Sequence, residues 1–535
     1  MNTYKILGLA LLMGTGAQAQ TMKDAIQKTE NERFAAAAGD FKNLIAAEPT
    51  NGCNYFYYGE NFFGKDEIDS ANMQWTKGVA AEPGNALNYV GLGKALWYKG
   101  DKAGAKVQFD KAMTMTKNKN AEVHRRIAEV YINAKEKNLD EAIRLLEIAI
   151  KLDSKNEENH LLMGDALLEK TPENGGPAIK SYNKALELNP TSPRGIVRTA
   201  KLYQRAQNFK LANEKYEEAQ RIDPTYAPAY RENAELNMRF NQSAKAIENW
   251  KKYLELNNST EARYRYASSL FLNKQYCEVI PELEDLQKKG FNNFFVQRMT
   301  AYSFVECNQD PEAATKGLLA SDRFFKMVPA DSVIALDYKY RGLLYSKSGN
   351  DSLAVLELER ASAVDANNAR ELSGDIGRLY MKMKKYNGAI AAYEKKMDGK
   401  PGSLSAQEEF ELGRAYYFGP QDFVLADSAF SRLTVLAPTY APGFLWRARS
   451  NYKLDPKNEK WAAKAYYEQY LTLIKPEERA LANNKSMVME AAKYLGDYYV
   501  NSTSKDAVKA KEYWTIVRDL DPNDKQAKTF FASGK

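Results

Sequence analysis

Across 535 residues the chain carries only three cysteines, Cys53, Cys277 and Cys307, and two histidines, His124 and His160. That excludes the clustered thiolate and imidazole sets that hold structural or catalytic zinc. The histidines stand 36 residues apart; with no cysteine or carboxylate cluster beside them, packing is the reading they support. There is no glycine-rich phosphate loop, no G-x-S-x-G and no H-E-x-x-H, so none of the common catalytic constellations is present. Charge of one sign is missing too. Lys and Arg number 76 against 69 Asp and Glu, a net charge of +7. A nucleic-acid binder concentrates basic residues on one stripe, and none is seen here. Long apolar runs are absent beyond the first 19 residues, which excludes a later membrane-spanning helix.

What is present is a proline that keeps returning. It stands at Pro49, Pro83, Pro190, Pro224, Pro438 and Pro522, in AEPTN, AEPGN, LNPTS, IDPTY, LAPTY and LDPND. Pro49 to Pro83 is 34 residues, and so is Pro190 to Pro224. A fixed period of that length marks a stacked repeat. Small residues recur at fixed offsets before each proline, separated by steps of 3, 4, 7 or 8, which is helical spacing. Each repeat therefore reads as two helices whose backbones approach closely where the side chains are small. Between the small residues stand Phe109, Tyr182, Tyr216, Trp250, Tyr393, Phe430, Tyr467 and Trp514 as fillers. The proline ends the second helix, since it disfavours helical geometry in the residue before it, and is expected to open the next one at its first turn.

These residues resemble the tetratricopeptide (TPR) family, whose 34-residue motif runs aromatic, Leu-Gly, Tyr, Ala, Phe, Ala, Pro. The key small position falls at Ala25, Gly59, Gly93, Ala128, Gly164, Ala200, Ala234, Ala267, Ala301, Gly342, Gly377, Gly413, Ala448 and Gly496. The resemblance covers nearly everything after residue 21. It implies an all-α solenoid of about 14 hairpins forming a right-handed superhelix. The spacing is 33 to 36 residues except for 41 before Gly342 and 48 before Gly496. Gly317 also replaces an expected aromatic. A soft boundary is placed near 330, separating a 20–330 array of about nine repeats from a 331–535 array of about five.

Residues 1–19 stand apart. Lys5, the apolar ILGLALLMGTGA and Ala17-Gln18-Ala19 have the order of a cleaved secretory signal, giving a mature chain from about Gln20. No cysteine lies near the cut, so a lipoprotein signal is not expected, and the periplasm of a Gram-negative bacterium is the most economical location. In an oxidising compartment cysteines tend to pair, and Cys277 and Cys307 lie near one edge of the stack, so a disulfide between them is possible. Three buried thiols are the alternative.

In TPR arrays the first helix of each repeat lines an inner groove, and the resemblance carries that role onto matching positions. These include Lys94, Arg194, Lys201, Arg231, Arg298, Tyr302, Arg378, Phe410, Arg414, Tyr417, Arg449 and Tyr452. Arg378, Arg414 and Arg449 share one position in three successive repeats, with Tyr417 and Tyr452 one turn beyond two of them. Such arginines either grip the carboxylates of a partner segment in fork geometry or pair with neighbouring acids. Tyrosines add rigid amphipathic contact area. Four Asp-Ser-aliphatic stretches, beginning at Asp69, Asp331, Asp351 and Asp427, resemble acceptors of a bacterial O-glycosylation system or serve as helix starts. The expected function is a non-enzymatic periplasmic scaffold, without cofactor or metal, binding acidic protein segments for envelope assembly, secretion or energised transport. A glycan-binding uptake component of the SusD-like type is the alternative. It fits less well, because such proteins are lipoproteins with interrupted repeats.

Overall fold

A computed structural model describes residues 21–173, 175–307, 310–365, 369–400 and 402–533. The expected signal segment lies outside the described residues. Those residues form paired antiparallel helices, and no strand occurs among them. The first pair is 21–30 with Phe34–Ala47; a second is Gly52–Phe63 with Ile68–Ala81; the fourteenth is Lys485–Asn501 with Ala507–Leu520. A final helix, Lys525–Ala532, follows. Partners within a pair pack most extensively, and the first helices of successive repeats also lie side by side.

The small-and-aromatic pattern explains the pairing. A Cβ built on Gly59 would meet Trp75 Nε1 at 2.2 Å, on Gly93 Phe109 at 2.4 Å and on Gly164 Tyr182 at 2.3 Å. Each ring from the second helix lies flat on the glycine of the first. Trp75, Tyr182, Tyr216, Tyr393 and Phe430 are fully buried there, and burying each ring removes a large apolar area from water.

All six repeat prolines end their helices in one way. The second helix stops at Ala47, Ala81, Leu188, Ile222, Leu436 or Leu520, two residues before the proline. The intervening residue is extended, as at Glu48 (φ −132°, ψ 75°) and Asp521 (φ −140°, ψ 94°). Proline favours this geometry, and Asp153, which precedes Ser154, takes it as well (φ −145°, ψ 86°). The same prolines do not open the next helix, which begins several residues later. Pro193, Pro228 and Pro442 do that instead, as Pro177 does for a second helix, because there the ring falls in the first turn, where no N–H is needed.

The histidines also find a repeat role. His124 and His160 sit four residues before the small position, as do Tyr55 and Tyr89. All four reach a backbone carbonyl six residues upstream: His124 to Asn118 at 3.3 Å, His160 to Ser154 at 3.2 Å, Tyr55 to Pro49 at 2.9 Å and Tyr89 to Pro83 at 3.2 Å. One position earlier, the fully buried Asn159 donates to the carbonyls of Ala149 and Asp153, satisfying the end of the preceding helix.

Both lapses of period are filled by 3₁₀ turns, Ala330–Ser332 and Pro476–Glu478. Gly317 carries no ring because Leu344 of the next repeat takes its space; an added Cβ would lie 2.4 Å from Leu344 Cδ2. The chain falls into two compact units, one ending at Phe291 and one starting at Asn292. The period lapse near 330 thus lies within the second unit.

Candidate functional site

In the C-terminal unit, helix Ala406–Phe418 carries Phe410, Arg414 and Tyr417, and helix Ala441–Leu454 carries Arg449 and Tyr452. Helical spacing places Phe410, Arg414 and Phe418 in one row. The Arg414 guanidinium lies 5.7 Å from the Phe410 ring centre and 5.9 Å from that of Phe418. Among the described residues no carboxylate approaches Arg414 within ion-pair distance, and its Nε is buried without a hydrogen-bond partner. Tyr417 packs edge-on against Trp446 at 5.1 Å, Phe410 against Tyr440 at 5.8 Å, and Arg449 lies over Trp446 at 4.9 Å. Phe418, Tyr440 and Tyr452 are 43%, 42% and 40% exposed, so the surface is aromatic and open.

The three aligned arginines have different surroundings. Arg378 pairs with Asp375 one turn away and is half exposed. Arg449 forks onto Glu490, Nε to Oε1 at 3.0 Å and Nη2 to Oε2 at 2.7 Å. Burial alone would lower its pKa, but the Glu490 hydrogen bonds outweigh that and raise it. Arg414 is the arginine of this row without a carboxylate. Burial raises the Tyr417 pKa, so its hydroxyl stays a donor at neutral pH. Arg298 and Tyr302, at the start of this unit, both engage Asp337. Arg298 forks onto it at 2.8 Å twice, and the buried Tyr302 donates to it at 2.7 Å. Burial, and then the Asp337 charge, push the Tyr302 pKa well up. This pair braces consecutive repeats.

In the N-terminal unit, Lys201 pairs with Glu232 at 3.1 Å, and Arg231 pairs with Glu32 at 2.9 Å and Glu232 at 3.0 Å. Arg231 and Lys201 line a cavity of about 500 Å³ together with Arg194, Arg198 and Tyr226. Beside it a cavity of about 270 Å³ holds a closed charge network. Lys94 meets Glu60 at 2.9 Å, and Arg126 meets Glu129 at 3.1 Å and Glu60 at 3.6 Å. Burial would raise the Glu129 pKa, but Lys94, Arg126 and Arg125 together hold it down at about 2.

Trp446, Phe418 and Tyr440 escaped the sequence reading because they fall outside the groove positions of the repeat. Their signal was the local density of aromatics. The involvement of Glu30 and Glu32 carried no local signal, since their partners lie more than 120 residues away. The bridge expected between Cys277 and Cys307 remains an expectation; Cys53 is a free thiol, whose pKa burial raises. Among the described residues no group of three or more His, Cys, Asp or Glu is placed to hold a metal, and no helix is long and apolar enough to cross a membrane.

A stack of helical hairpins with charged and aromatic inner helices defines an α-helical repeat protein of the interaction type. The tetratricopeptide-repeat family profile matches residues 371–395. The C-terminal part of a TPR repeat-containing protein from Cytophaga hutchinsonii is 30% identical, over 50% of this chain and 98% of that one, with a TM-score of 0.40. A thermophilic TPR protein of Thermus thermophilus is 17% identical over 35% of this chain and 98% of that one, with a TM-score of 0.30. YrrB, described as a TPR protein with an unusual peptide-binding site, is 19% identical over 35% of this chain and 95% of that one, at 0.23. No curated protein matches. Superpositions this loose add nothing; the identity with the Cytophaga chain, over nearly all of it, carries the assignment. The chain belongs to the tetratricopeptide-repeat family.

Proposed function

We propose that the chain is a non-enzymatic periplasmic scaffold. In this reading the Arg414 surface of its C-terminal unit binds a carboxylate-bearing segment of a partner in envelope assembly, secretion or energised transport. The observation that carries this is the state of Arg414. It is held between Phe410 and Phe418, lacks an acidic neighbour among the described residues, and keeps a buried Nε without a hydrogen bond. A buried, unpaired donor costs about 1–3 kcal/mol. An incoming carboxylate would give the rest of the guanidinium the charge partner it lacks, while Tyr417, Phe418 and Tyr440 would cover the segment's apolar atoms. Arg449, already on Glu490, would serve as a neighbour that holds Trp446 in place.

The test is a photo-crosslinking residue at position 417 or 452 in living cells, followed by affinity measurement with the purified partner so found. Arg414→Ala should weaken binding more than tenfold, and Arg414→Ala with Arg449→Ala further. A partner that binds the double variant unchanged would remove the reading. The periplasmic part is tested by fractionation: a chain beginning near Gln20 should be recovered with the periplasmic contents.

A further inference from the structure

The turn of the first hairpin is tied to repeats far along the chain. Asn31 is buried, at 4% exposure. Six positions beyond the small residue in other repeats, Lys65, Lys99, Ala206, Phe240, Asn273 and Ser348 are exposed, whereas Ala134, Cys307 and Ser502 are buried as Asn31 is. Its backbone is ordinary, since Glu32 takes the left-handed conformation (φ 56°) that Asp66, Gly100, Gln207 and Asn241 take at the same offset in their own turns. What sets it apart is what holds it.

It is held by side chains of much later repeats. Glu30 Oε1 meets Arg194 Nη1 at 2.8 Å. Glu32 receives Arg231 Nη1 at 2.9 Å and the Tyr253 hydroxyl at 2.8 Å, and its carbonyl accepts from Asn257 Nδ2 at 3.0 Å. Asn31 Nδ2 donates to Asp223 at 2.9 Å and to Thr225 at 3.1 Å. Arg194 and Arg231 are inner-helix positions of the sixth and seventh repeats, where a partner's carboxylates would be expected. Seven cationic side chains line the larger cavity against five carboxylates, two of which are Glu30 and Glu32.

We propose that this cavity is a receptor for a protein segment presenting two carboxylates two residues apart in a turn, and that the chain's own Glu30 and Glu32 occupy it until such a segment displaces them. The site is separate from the Arg414 surface and does not rest on it. Removing the internal turn leaves Arg194 and Arg231 each short of one carboxylate in a partly desolvated wall, where charge-assisted bonds are strong. The internal turn competes at the high effective concentration of a tethered ligand, so an external segment binds the resting chain weakly.

The probe is a fluorescent synthetic peptide reproducing residues 24–36, with a matched peptide carrying Gln in place of both glutamates. The full-length wild-type chain should bind the first peptide weakly. Glu30→Gln with Glu32→Gln should bind it at least tenfold more tightly. Adding Arg194→Gln and Arg231→Gln should abolish the gain, and the Gln peptide should show none of it. Equal binding of the two peptides, or no gain in the glutamine variant with helicity intact, overturns the proposal. Should the variant not fold, the wild-type chain decides. Excess Glu peptide, and not the Gln peptide, should speed amide exchange in residues 21–47; unchanged exchange overturns the proposal. Neither outcome bears on Arg414→Ala, so the two sites fail separately.

Discussion

Gly413→Ala tests the packing rule that organises every hairpin. A Cβ on Gly413 would lie 2.5, 2.7 and 2.8 Å from three carbons of the Phe430 ring. Carbon contacts settle near 3.5–4.0 Å, so the ring must retreat by roughly 1 Å. Phe430 is fully buried, with Trp446 stacked behind it at 5.9 Å and Phe410 at 6.1 Å. Overpacking of this kind costs about 1–3 kcal/mol. Alanine in a helix interior gains about 1 kcal/mol over glycine. Contacts as short as 2.5 Å against a ring already backed by two others put the overpacking cost in the upper part of its range, about 2–3 kcal/mol, so the clash wins and the expected net loss is about 1–2 kcal/mol. Gly39→Ala is the matched control. Gly39 is helical and exposed, and its Cβ would meet nothing within 4 Å, so the propensity gain of about 0.5–1 kcal/mol stands alone. The two substitutions should therefore move stability in opposite directions.

Repeat arrays need not unfold as one unit, so the assay is urea-dependent amide exchange resolved by peptide. Gly413→Ala should lower the midpoint of residues 406–436, and Gly39→Ala should raise that of residues 34–47. Gly413→Ala with Phe430→Leu should recover part of the loss, since leucine faces glycine at Gly342 and Leu358, where the added Cβ would sit 3.0 Å away. The chain carries Ala200 in the hairpin of Tyr216 and Ala234 in that of Trp250. A methyl is thus tolerated where a hairpin is built around it, and the cost at 413 is that of displacing neighbours already fitted to glycine. If Gly413→Ala stabilised its hairpin as Gly39→Ala does, the close-approach argument would be refuted. Because Phe410 and Trp446 support Arg414 and Arg449, the same variant should also weaken partner binding.

Asn159→Ala should destabilise its hairpin by about 1–2 kcal/mol in the same assay, because the Asp153 carbonyl loses its side-chain donor while that of Ala149 keeps the Asp153 N–H at 2.8 Å, and one unsatisfied buried group costs about 1–3 kcal/mol. The Glu129 pKa is lowered from 4.5 to about 2, so the stability it contributes is present above pH 4.5 and lost as pH falls toward 2. Glu129→Gln should accordingly flatten the acid-unfolding curve of residues 121–133 over that window, and an unchanged curve would contradict the charge network. Peptide mapping of the chain isolated from its native compartment without reductant should find Cys277 and Cys307 in one disulfide-linked fragment and Cys53 as a free thiol. Two separate thiol-bearing peptides would refute the bridge.

The fold was legible because its determinants are local. A proline two residues past a helix end, a small residue and the ring that covers it all recur within 34 positions, so one repeat teaches the next. The histidines were half legible: the absence of partner ligands pointed to packing, but the carbonyl six residues upstream that they share with Tyr55 and Tyr89 is seen only in the fold. The surface chemistry was only half legible. Register put Arg378, Arg414 and Arg449 in one row, but it could not tell which had a carboxylate nearby. Asp375 lies one helical turn from Arg378 and could have been noticed; Glu490 reaches Arg449 across 41 residues and could not.

The turn at Glu30 is the extreme case of that limit, with partners at Arg194, Arg231 and Tyr253. A solenoid pairs neighbours by rule, so nothing in a repeat motif encodes a contact between its first hairpin and its sixth or seventh. Such contacts need residues that break the pattern, and here they are two glutamates flanking an asparagine at the turn of the first hairpin. Ordinary surface acids would have been left in solvent, where a pair contributes about 0–1 kcal/mol. Placing them in a partly desolvated wall of arginines raises both the strength of each pair and the cost of losing it above those of an open surface pair. An arrangement whose bonds are strong, few and confined to one turn can be released as a unit by a competitor of the same chemistry, whereas diffuse apolar packing cannot. That difference separates a turn that merely completes the first unit from one that keeps a binding site closed, and it is why the peptide with two glutamates, and not its glutamine twin, should open it.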